Sequence, residues 1–148
     1  LRFFTVYGPW GRPDMAMFLF MDAILKNQPI KIFNKGELYR DFTYVDDIVR
    51  GVEKTLFNTV KNAPKYRIYN IGNNKPVKLT SFVEAIEKFT GKEAIKEQHA
   101  MQPGDVYKTW ANVEKLQNDY GYKSSTSVEE GVKNTIAWFQ GYKKSKGN

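Results

Sequence analysis

Three charged side chains on turn-like segments are the groups of this sequence best suited to chemistry. Arg12 lies in a loop rich in Gly and Pro, Arg40 comes just before Asp41, and Asp105 follows a Pro-Gly pair. A guanidinium offers planar paired donors that fit a carboxylate or a phosphate. These residue types indicate a site for an anionic ligand. The structural alternatives are loop hydrogen bonds for Arg12, a salt bridge with Asp41 for Arg40 and turn formation for Asp105.

The loop that carries Arg12 is the most constrained segment of the chain. Residues 7–15 read Tyr-Gly-Pro-Trp-Gly-Arg-Pro-Asp-Met, and two Gly with two Pro leave an irregular backbone few free torsions. The preceding residues 1–6 are nearly continuously apolar, which predicts a strand buried on both faces. Asp14 is placed to cap a helix that runs to about Lys26. Because ligands bind at the carboxyl ends of strands in open α/β sheets, we expect a binding site at this loop.

Strands and helices alternate through the rest of the chain, which indicates an α/β fold. Strands are predicted at residues 29–33, 40–45 and 66–72, with a weaker one near 94–101. Capping residues predict the helix boundaries. Asp46 and Asp47 open one helix, and Ser81 with Glu84 forms a capping box at the start of another. Gly91 and Gly121 are predicted helix ends, a short helix begins at Asn112, and the last helix begins at Thr126 or Ser127.

The composition fits one compact domain and excludes several classes of site. The 148 residues are 41% apolar and 15% aromatic, which is enough for a core. There is no Cys and one His, His99, so we predict no metal site, no disulfide and no thiol nucleophile. The longest apolar run, residues 15–21, is too short for a membrane span, and we expect a cytoplasmic protein that binds no membrane. The net charge of +7 keeps a nucleic-acid-binding module open as an alternative, although the basic residues are spread and we expect no nucleic-acid partner.

Four stretches, in order, resemble the carboxyl-terminal half of extended short-chain dehydrogenase/reductases, and in particular nucleotide-sugar epimerases of the UDP-glucuronate 4-epimerase type. They are residues 2–9 (RFFTVYGP), 11–16 (GRPDMA), 40–47 (RDFTYVDD) and 102–106 (QPGDV). The combination of Thr5 with the second stretch is narrower than the others and points to the uronate branch. Gln102 departs from relatives that have arginine there, which removes one phosphate contact.

The resemblance implies a role for five residues in binding a UDP-sugar. Thr5 and Arg12 would grip the carboxylate of the sugar, and Phe33 would offer backbone groups to uracil. Arg40 would bind the diphosphate, and Asp105 would accept the ribose hydroxyls.

The resemblance also implies an NAD cofactor and separate parts of the protein for binding substrate and NAD. Tyr7 and Pro9 resemble the turn beside the nicotinamide of NAD. Residues 1–148 would be the substrate-binding region with the last Rossmann strands and the small substrate-binding subdomain, while the NAD-binding part and the catalytic Ser/Thr, Tyr and Lys would lie upstream of this chain. The parent enzyme would invert C4 of UDP-glucuronate or UDP-galacturonate through a 4-keto intermediate. We expect a homo-oligomeric parent and an inactive isolated chain that retains no NAD.

Two alternatives stay open at this point. The first is another extended short-chain dehydrogenase/reductase, namely a UDP- or dTDP-sugar 4,6-dehydratase, a decarboxylase or a 5-epimerase. The upstream catalytic residues would distinguish these enzymes from a 4-epimerase. The second is a non-enzymatic nucleotide- or nucleic-acid-binding module, which a steep salt dependence of DNA or RNA binding would reveal.

Overall fold

The computed structural model describes residues 1–61, 64 and 66–146 of the chain. Along these residues, short strands alternate with helices. In chain order the elements are β1 (Arg2–Phe3), β2 (Thr5–Tyr7), α1 (Ala16–Leu25), β3 (Pro29–Phe33), a 3-10 turn (Asn34–Gly36), β4 (Tyr39–Arg40), β5 (Phe42–Tyr44), α2 (Val45–Phe57), β6 (Asn70–Ile71), β7 (Val77–Lys78), α3 (Leu79–Thr90), β8 (Ile95–His99), α4 (Glu114–Tyr120) and α5 (Val128–Ser145).

The strands form four ribbons of two strands each. The parallel pairs are β1 with β6, β2 with β5, and β3 with β8, while β4 and β7 are antiparallel. Parallel strands need a crossover connection, and helices supply most of these connections here. The predicted α/β class is confirmed.

The prediction of one strand over residues 1–6, buried on both faces, is wrong. The run divides at Phe4 into β1, which pairs with β6, and β2, which pairs with β5. Each part has one neighbouring strand among the described residues, so much of the run faces solvent, and the Phe3 side chain is 54% exposed.

The prediction that Asp14 caps the first helix is also wrong. Helix α1 begins at Ala16, and its N-cap Met15 makes no side-chain capping bond. Asp14 pairs with Arg12 instead, because a guanidinium at this distance is a stronger partner for a carboxylate than an amide N–H. The helix is held by burial of Met17, Met21 and Ile24 rather than by a cap.

Two other cap predictions had opposite outcomes. Ser127 is confirmed as the N-cap of α5, since its Oγ accepts a hydrogen bond from Glu130 N at 3.1 Å. The capping box at Ser81 is wrong, because α3 begins at Leu79, directly after β7. The N–H of Leu79 is satisfied by Leu38 O at 2.8 Å, so this helix start uses a neighbouring strand segment in place of a side-chain cap.

The main core lies where α1, α3 and α5 cover the β2–β5 ribbon. The rings of Phe42 and Phe82 stack at 3.9 Å with planes 9° apart, and Tyr7 meets both rings edge-on. A second, smaller core surrounds Ile71 and Tyr122 beside α2. Within the described ranges, none of the helices combines the length and the apolarity that crossing a bilayer requires.

Candidate functional site: two adjacent cavities

A cavity of about 850 Å³ opens between α1, the β3 strand and the loop around Asp105. Such a volume is typical of sites for small ligands. Four of the five predicted substrate-binding residues line this cavity: Thr5, Phe33, Arg40 and Asp105. Lys31, which the sequence analysis did not single out, adds a further cation to the wall.

Arg40 and Asp105 are held against each other in that wall. Arg40 Nη2 donates to Asp105 Oδ1 at 2.5 Å, and Nη1 donates to the carbonyl oxygens of Tyr39 and Val106 at 2.9 and 2.8 Å. Three contacts fix the guanidinium plane, and both side chains are mostly shielded, with 19% and 26% exposed. The pair keeps Nε and part of Nη2 of Arg40 available for a phosphate oxygen.

Asp41 is a site-building residue that sequence reasoning missed. Its side chain is fully buried, and its carboxylate accepts backbone N–H groups from Asn73, Asn74 and Ala111 at 2.9, 3.1 and 2.8 Å. The predicted alternative, a local salt bridge between Arg40 and Asp41, does not form, because Arg40 turns to Asp105. Asp41 thereby ties the turn after β6 and the segment after Asp105 to the strand residue next to Arg40. The sequence signals were the motif at residues 40–47, which contains Asp41, and the polar Gly-Asn-Asn turn at residues 72–74.

Phe33 reaches the cavity from the end of β3. It pairs in register with His99 of β8, and the two rings lie 5.5 Å apart in a tilted arrangement. Phe33 is half-buried, while every residue of β8 is exposed. The strand end therefore presents one aromatic side chain and its backbone to the cavity, and His99 supports the ring from the outside.

A second cavity of about 380 Å³ adjoins the first and shares Met15 with it. Its walls include the three other predicted site residues, Tyr7, Pro9 and Arg12, together with apolar side chains such as Val6 and Val45. Thus the structure gathers four of the five predicted substrate-binding residues in one cavity. The fifth, Arg12, lines the next cavity together with the predicted cofactor residues Tyr7 and Pro9. The mostly apolar lining is compatible with an aromatic ring such as that of nicotinamide.

The hydroxyl of Tyr7 points away from both cavities toward α5. It donates to Val128 O at 3.2 Å, and a Cβ placed on Gly131 would overlap it, so α5 can approach only because residue 131 is glycine. Burial, followed by the nearby Tyr44 and Glu130, raises the pKa of Tyr7 well above its usual value. Tyr7 therefore contributes a wall and not an acid–base group.

Arg12 is exposed and is engaged by Asp14. Arg12 Nε and Nη2 donate to the two carboxylate oxygens at 3.0 and 2.5 Å. These bonds hold the pKa of the Asp14 carboxyl below its usual range. An arriving carboxylate would meet a guanidinium whose forked face is already occupied.

The spacing Tyr-x-x-x-Lys occurs once in the sequence, at Tyr142 and Lys146 near the end of α5. Neither residue lines the two cavities. Over the residues that the structure describes, no cluster of three His, Cys, Asp or Glu side chains is arranged to hold a metal ion.

Comparison with known proteins gives consistent matches. Residues 1–72 match the NAD dependent epimerase/dehydratase family. The chain is 46% identical to Protein CapI of Staphylococcus aureus and 44% identical to a probable UDP-glucuronate 4-epimerase of Rhizobium meliloti, in each case over 97% of this chain and 47% of the relative. The chain thus spans about half the length of the curated relatives it matches.

The fold matches as well. The crystal structure of UDP-glucuronic acid 4-epimerase from Bacillus cereus, in complex with UDP-glucuronic acid and NAD, superimposes with a TM-score of 0.87 at 34% identity, over 95% of this chain and 44% of that one. The resemblance indicated by the sequence motifs is confirmed: this chain is similar to nucleotide-sugar epimerases of the UDP-glucuronate 4-epimerase type, and its first 72 residues match the NAD dependent epimerase/dehydratase family.

Proposed function

We propose that this chain forms the UDP-sugar-binding part of an NAD-dependent epimerase that inverts C4 of UDP-glucuronate or UDP-galacturonate. The observation that carries the proposal is the cavity that brings Thr5, Phe33, Arg40 and Asp105 together and shares Met15 with the cavity of Tyr7, Pro9 and Arg12. Similar proteins have been solved with UDP-glucuronic acid and NAD, which supports this pairing of ligands.

In this proposal the larger cavity holds the nucleotide end. Arg40, preset by Asp105 and two carbonyl oxygens, binds a diphosphate oxygen, and the Asp105 carboxylate accepts the ribose hydroxyls. Phe33 lies beside the base. These contacts are remote from C4, so they can hold the nucleotide while the sugar ring rotates between oxidation and re-reduction.

Thr5 and Arg12 are proposed to select the sugar. The two residues line adjoining cavities on either side of Met15, so the sugar would lie at their junction. Arg12 exchanges Asp14 for the carboxylate of a uronate, or shares its remaining donors with it. A neutral hexose offers no such partner.

NAD, held in part by Tyr7 and Pro9, supplies the hydride acceptor and donor for oxidation and re-reduction at C4. This chain's own residues exclude water from the apolar smaller cavity and orient the sugar. The proton-transferring Tyr and Lys are proposed to lie in the part of the protein outside this chain, so the chain alone neither turns over substrate nor retains NAD. Stoichiometric NAD in the purified chain would contradict this.

Arg12→Ala tests the substrate assignment by calorimetry with UDP-glucuronate, UDP-glucose and UDP. Charge-assisted hydrogen bonds contribute about 1.5–3 kcal/mol each, so UDP-glucuronate should bind about 10-fold to 100-fold more weakly, with little change for the other two ligands. Arg2→Ala, which removes an exposed arginine from β1, is the matched control. Equal losses for both sugars would remove the carboxylate assignment.

The reaction class is tested on the full-length protein with UDP-glucuronate by mass spectrometry. Epimerisation gives a product of unchanged mass that separates chromatographically from the substrate. A product that has lost water or carbon dioxide would identify a dehydratase or a decarboxylase instead.

A further inference from the structure

Trp10 has a backbone conformation that its side chain does not favour. Gly11 N donates to Gly8 O at 3.2 Å, which closes a four-residue turn with Pro9 second and Trp10 third, and φ of Trp10 is +61°. The third position of a turn with positive φ there is typically Gly or Asn, because a Cβ is crowded in that region. A tryptophan at this position needs a compensating contact.

That contact comes from two aromatic side chains of α5. The Trp10 ring lies 5.2 Å from Trp138 and 5.4 Å from Tyr142, edge-on to both. Trp138 and Tyr142, one helical turn apart, stack on each other at 5.4 Å with planes 19° apart. Since 76% of the Trp10 side chain is exposed, the stacked pair is the principal surface against which its ring rests.

A second anchor follows one residue later. A Cβ on Gly11 would lie 2.7 Å from the Phe18 ring, so the backbone is pressed against α1, and Phe18 in turn meets Trp138 edge-on at 6.2 Å. The backbone that leads into Arg12 is therefore held between α1 and α5.

We propose that Trp138 and Tyr142 are positioning residues that set the direction of the Arg12 guanidinium and hence the preference for an acidic sugar. The inference rests on the proposed function, since it assigns Arg12 to a carboxylate. Trp138 and Tyr142 line neither cavity, whereas Trp10 lines the second one beside Arg12, so the two α5 residues act on the site through Trp10. The contacts that fix Arg40 come from Asp105, Tyr39 and Val106 and not from α5.

The test measures affinities of the full-length protein for UDP, UDP-glucose and UDP-glucuronate in Trp138→Ala and Tyr142→Ala. The preference for UDP-glucuronate over UDP-glucose should fall about fivefold or more, because a 1 Å error in a positioned group is costly. The affinity for UDP should change less than about twofold. Trp138→Phe and Tyr142→Phe should retain most of the preference, and Phe57→Ala, at the exposed end of α2, should retain all of it.

Trp10→Gly provides a further variant outside α5; because Trp10 also lines the second cavity, a loss of preference there supports the positioning role only where Tyr142→Ala shows the same loss. Glycine accepts the positive φ, so the turn stays favourable while the ring contact is lost, and the preference should fall as in Trp138→Ala. The Trp10 indole N–H resonance should also shift in Tyr142→Ala, which reports the contact without any ligand.

The outcomes separate the two proposals. If Arg12→Ala removes the preference while Trp138→Ala, Tyr142→Ala and Trp10→Gly leave it intact, the positioning role is wrong and the proposed function stands. If Arg12→Ala itself leaves the preference intact, the carboxylate assignment fails, and the positioning role fails with it.

Discussion

Arg40 and Asp105 are joined by a 2.5 Å hydrogen bond across 65 residues of sequence, in the wall of the 850 Å³ cavity. A charged pair of this kind, largely shielded from water, fixes the guanidinium before any ligand arrives. Binding then loses little side-chain entropy at Arg40, which is the gain expected from a preorganised site.

Arg40→Lys should weaken UDP binding about 10-fold or more. Lysine keeps the positive charge but cannot reach Asp105, Tyr39 O and Val106 O together, so the cation is no longer fixed. Titration calorimetry with UDP measures the effect, and Arg2→Lys on β1 is the matched control. Unchanged UDP affinity in Arg40→Lys would show that charge alone suffices.

Asp14→Asn should strengthen binding of UDP-glucuronate by about threefold or more, with no effect on UDP-glucose. The forked face of Arg12 now engages Asp14, and a neutral amide competes less well with an arriving carboxylate. Calorimetry with both sugars checks the difference against Asp46→Asn. Weaker UDP-glucuronate binding would mean that Asp14 orients Arg12 and does not compete for it.

Asp47→Asn should destabilise the chain by about 3 kcal/mol. Asp47 is fully buried at the start of α2 and accepts hydrogen bonds from Ser124 Oγ, Ser125 N and Thr126 N at 2.8, 3.2 and 3.0 Å, besides pairing with Arg50. An amide nitrogen would face one of these donors and leave the guanidinium without its partner.

Urea unfolding of Asp47→Asn beside Asp46→Asn isolates this effect. Asp46, the neighbouring carboxylate in the first turn of α2, shares the favourable interaction with the helix dipole but is not fully buried. Equal midpoints for the two variants would show that the buried hydrogen bonds contribute no more than the dipole interaction.

Alkaline pH should destabilise the wild-type chain more than Tyr122→Phe. Burial raises the pKa of Tyr122 to about 12, whereas a phenol in the unfolded chain has a pKa of about 10. Between these values the unfolded chain releases a proton that the native state retains, so stability falls as pH rises. Through Tyr122 alone, the free energy of unfolding should fall by roughly 1.3 kcal/mol between about pH 9 and about pH 11.

Urea titrations at the two pH values measure this loss. Tyr122→Phe should lose about 1 kcal/mol at neutral pH, because the hydroxyl donates to Gly72 O at 2.9 Å, but it should lose less on going to alkali. Exposed Tyr107→Phe serves as the control. Identical alkaline losses in Tyr122→Phe and wild type would place the titrating group elsewhere.

The chain in isolation should self-associate, and Phe3→Glu should reduce the association. Phe3 lies 54% exposed on β1, and Leu56 and Phe57 of α2 add further exposed apolar surface. Ile95→Glu, on β8 and equally 54% exposed, is the matched control. A monomer at high concentration by sedimentation would contradict the prediction.

Local signals in the sequence predicted the α/β class, most helices and the end of α3 at Gly91, which has φ of +68°. Such features depend on residues within one turn of each other. The cap at Asp14 was predicted by the same local reasoning and was wrong, because Arg12 competes for the carboxylate. Local patterns do not weigh such competition.

The candidate site was predicted through resemblance on short motifs, and the structure added what motifs do not contain. The Arg40–Asp105 pair, the buried Asp41 carboxylate and the contact of Trp10 with α5 all join residues that are far apart in sequence. Single-sequence patterns hold no record of these pairings, and the three-dimensional arrangement of the strands decides them.

The hydrogen bond from Tyr7 to Val128 also bears on how the polypeptide acquires its shape during translation. One partner leaves the ribosome near the beginning of this chain and the other 121 positions later, so the contact of Tyr7 with α5 forms after its contacts with Phe42 and Phe82. Contacts that form this late favour capture by chaperones and slow the completion of the native state. Premature termination before α5 would leave the packed rings of Tyr7, Phe42 and Phe82 without the helix that covers them and would mark the product for degradation.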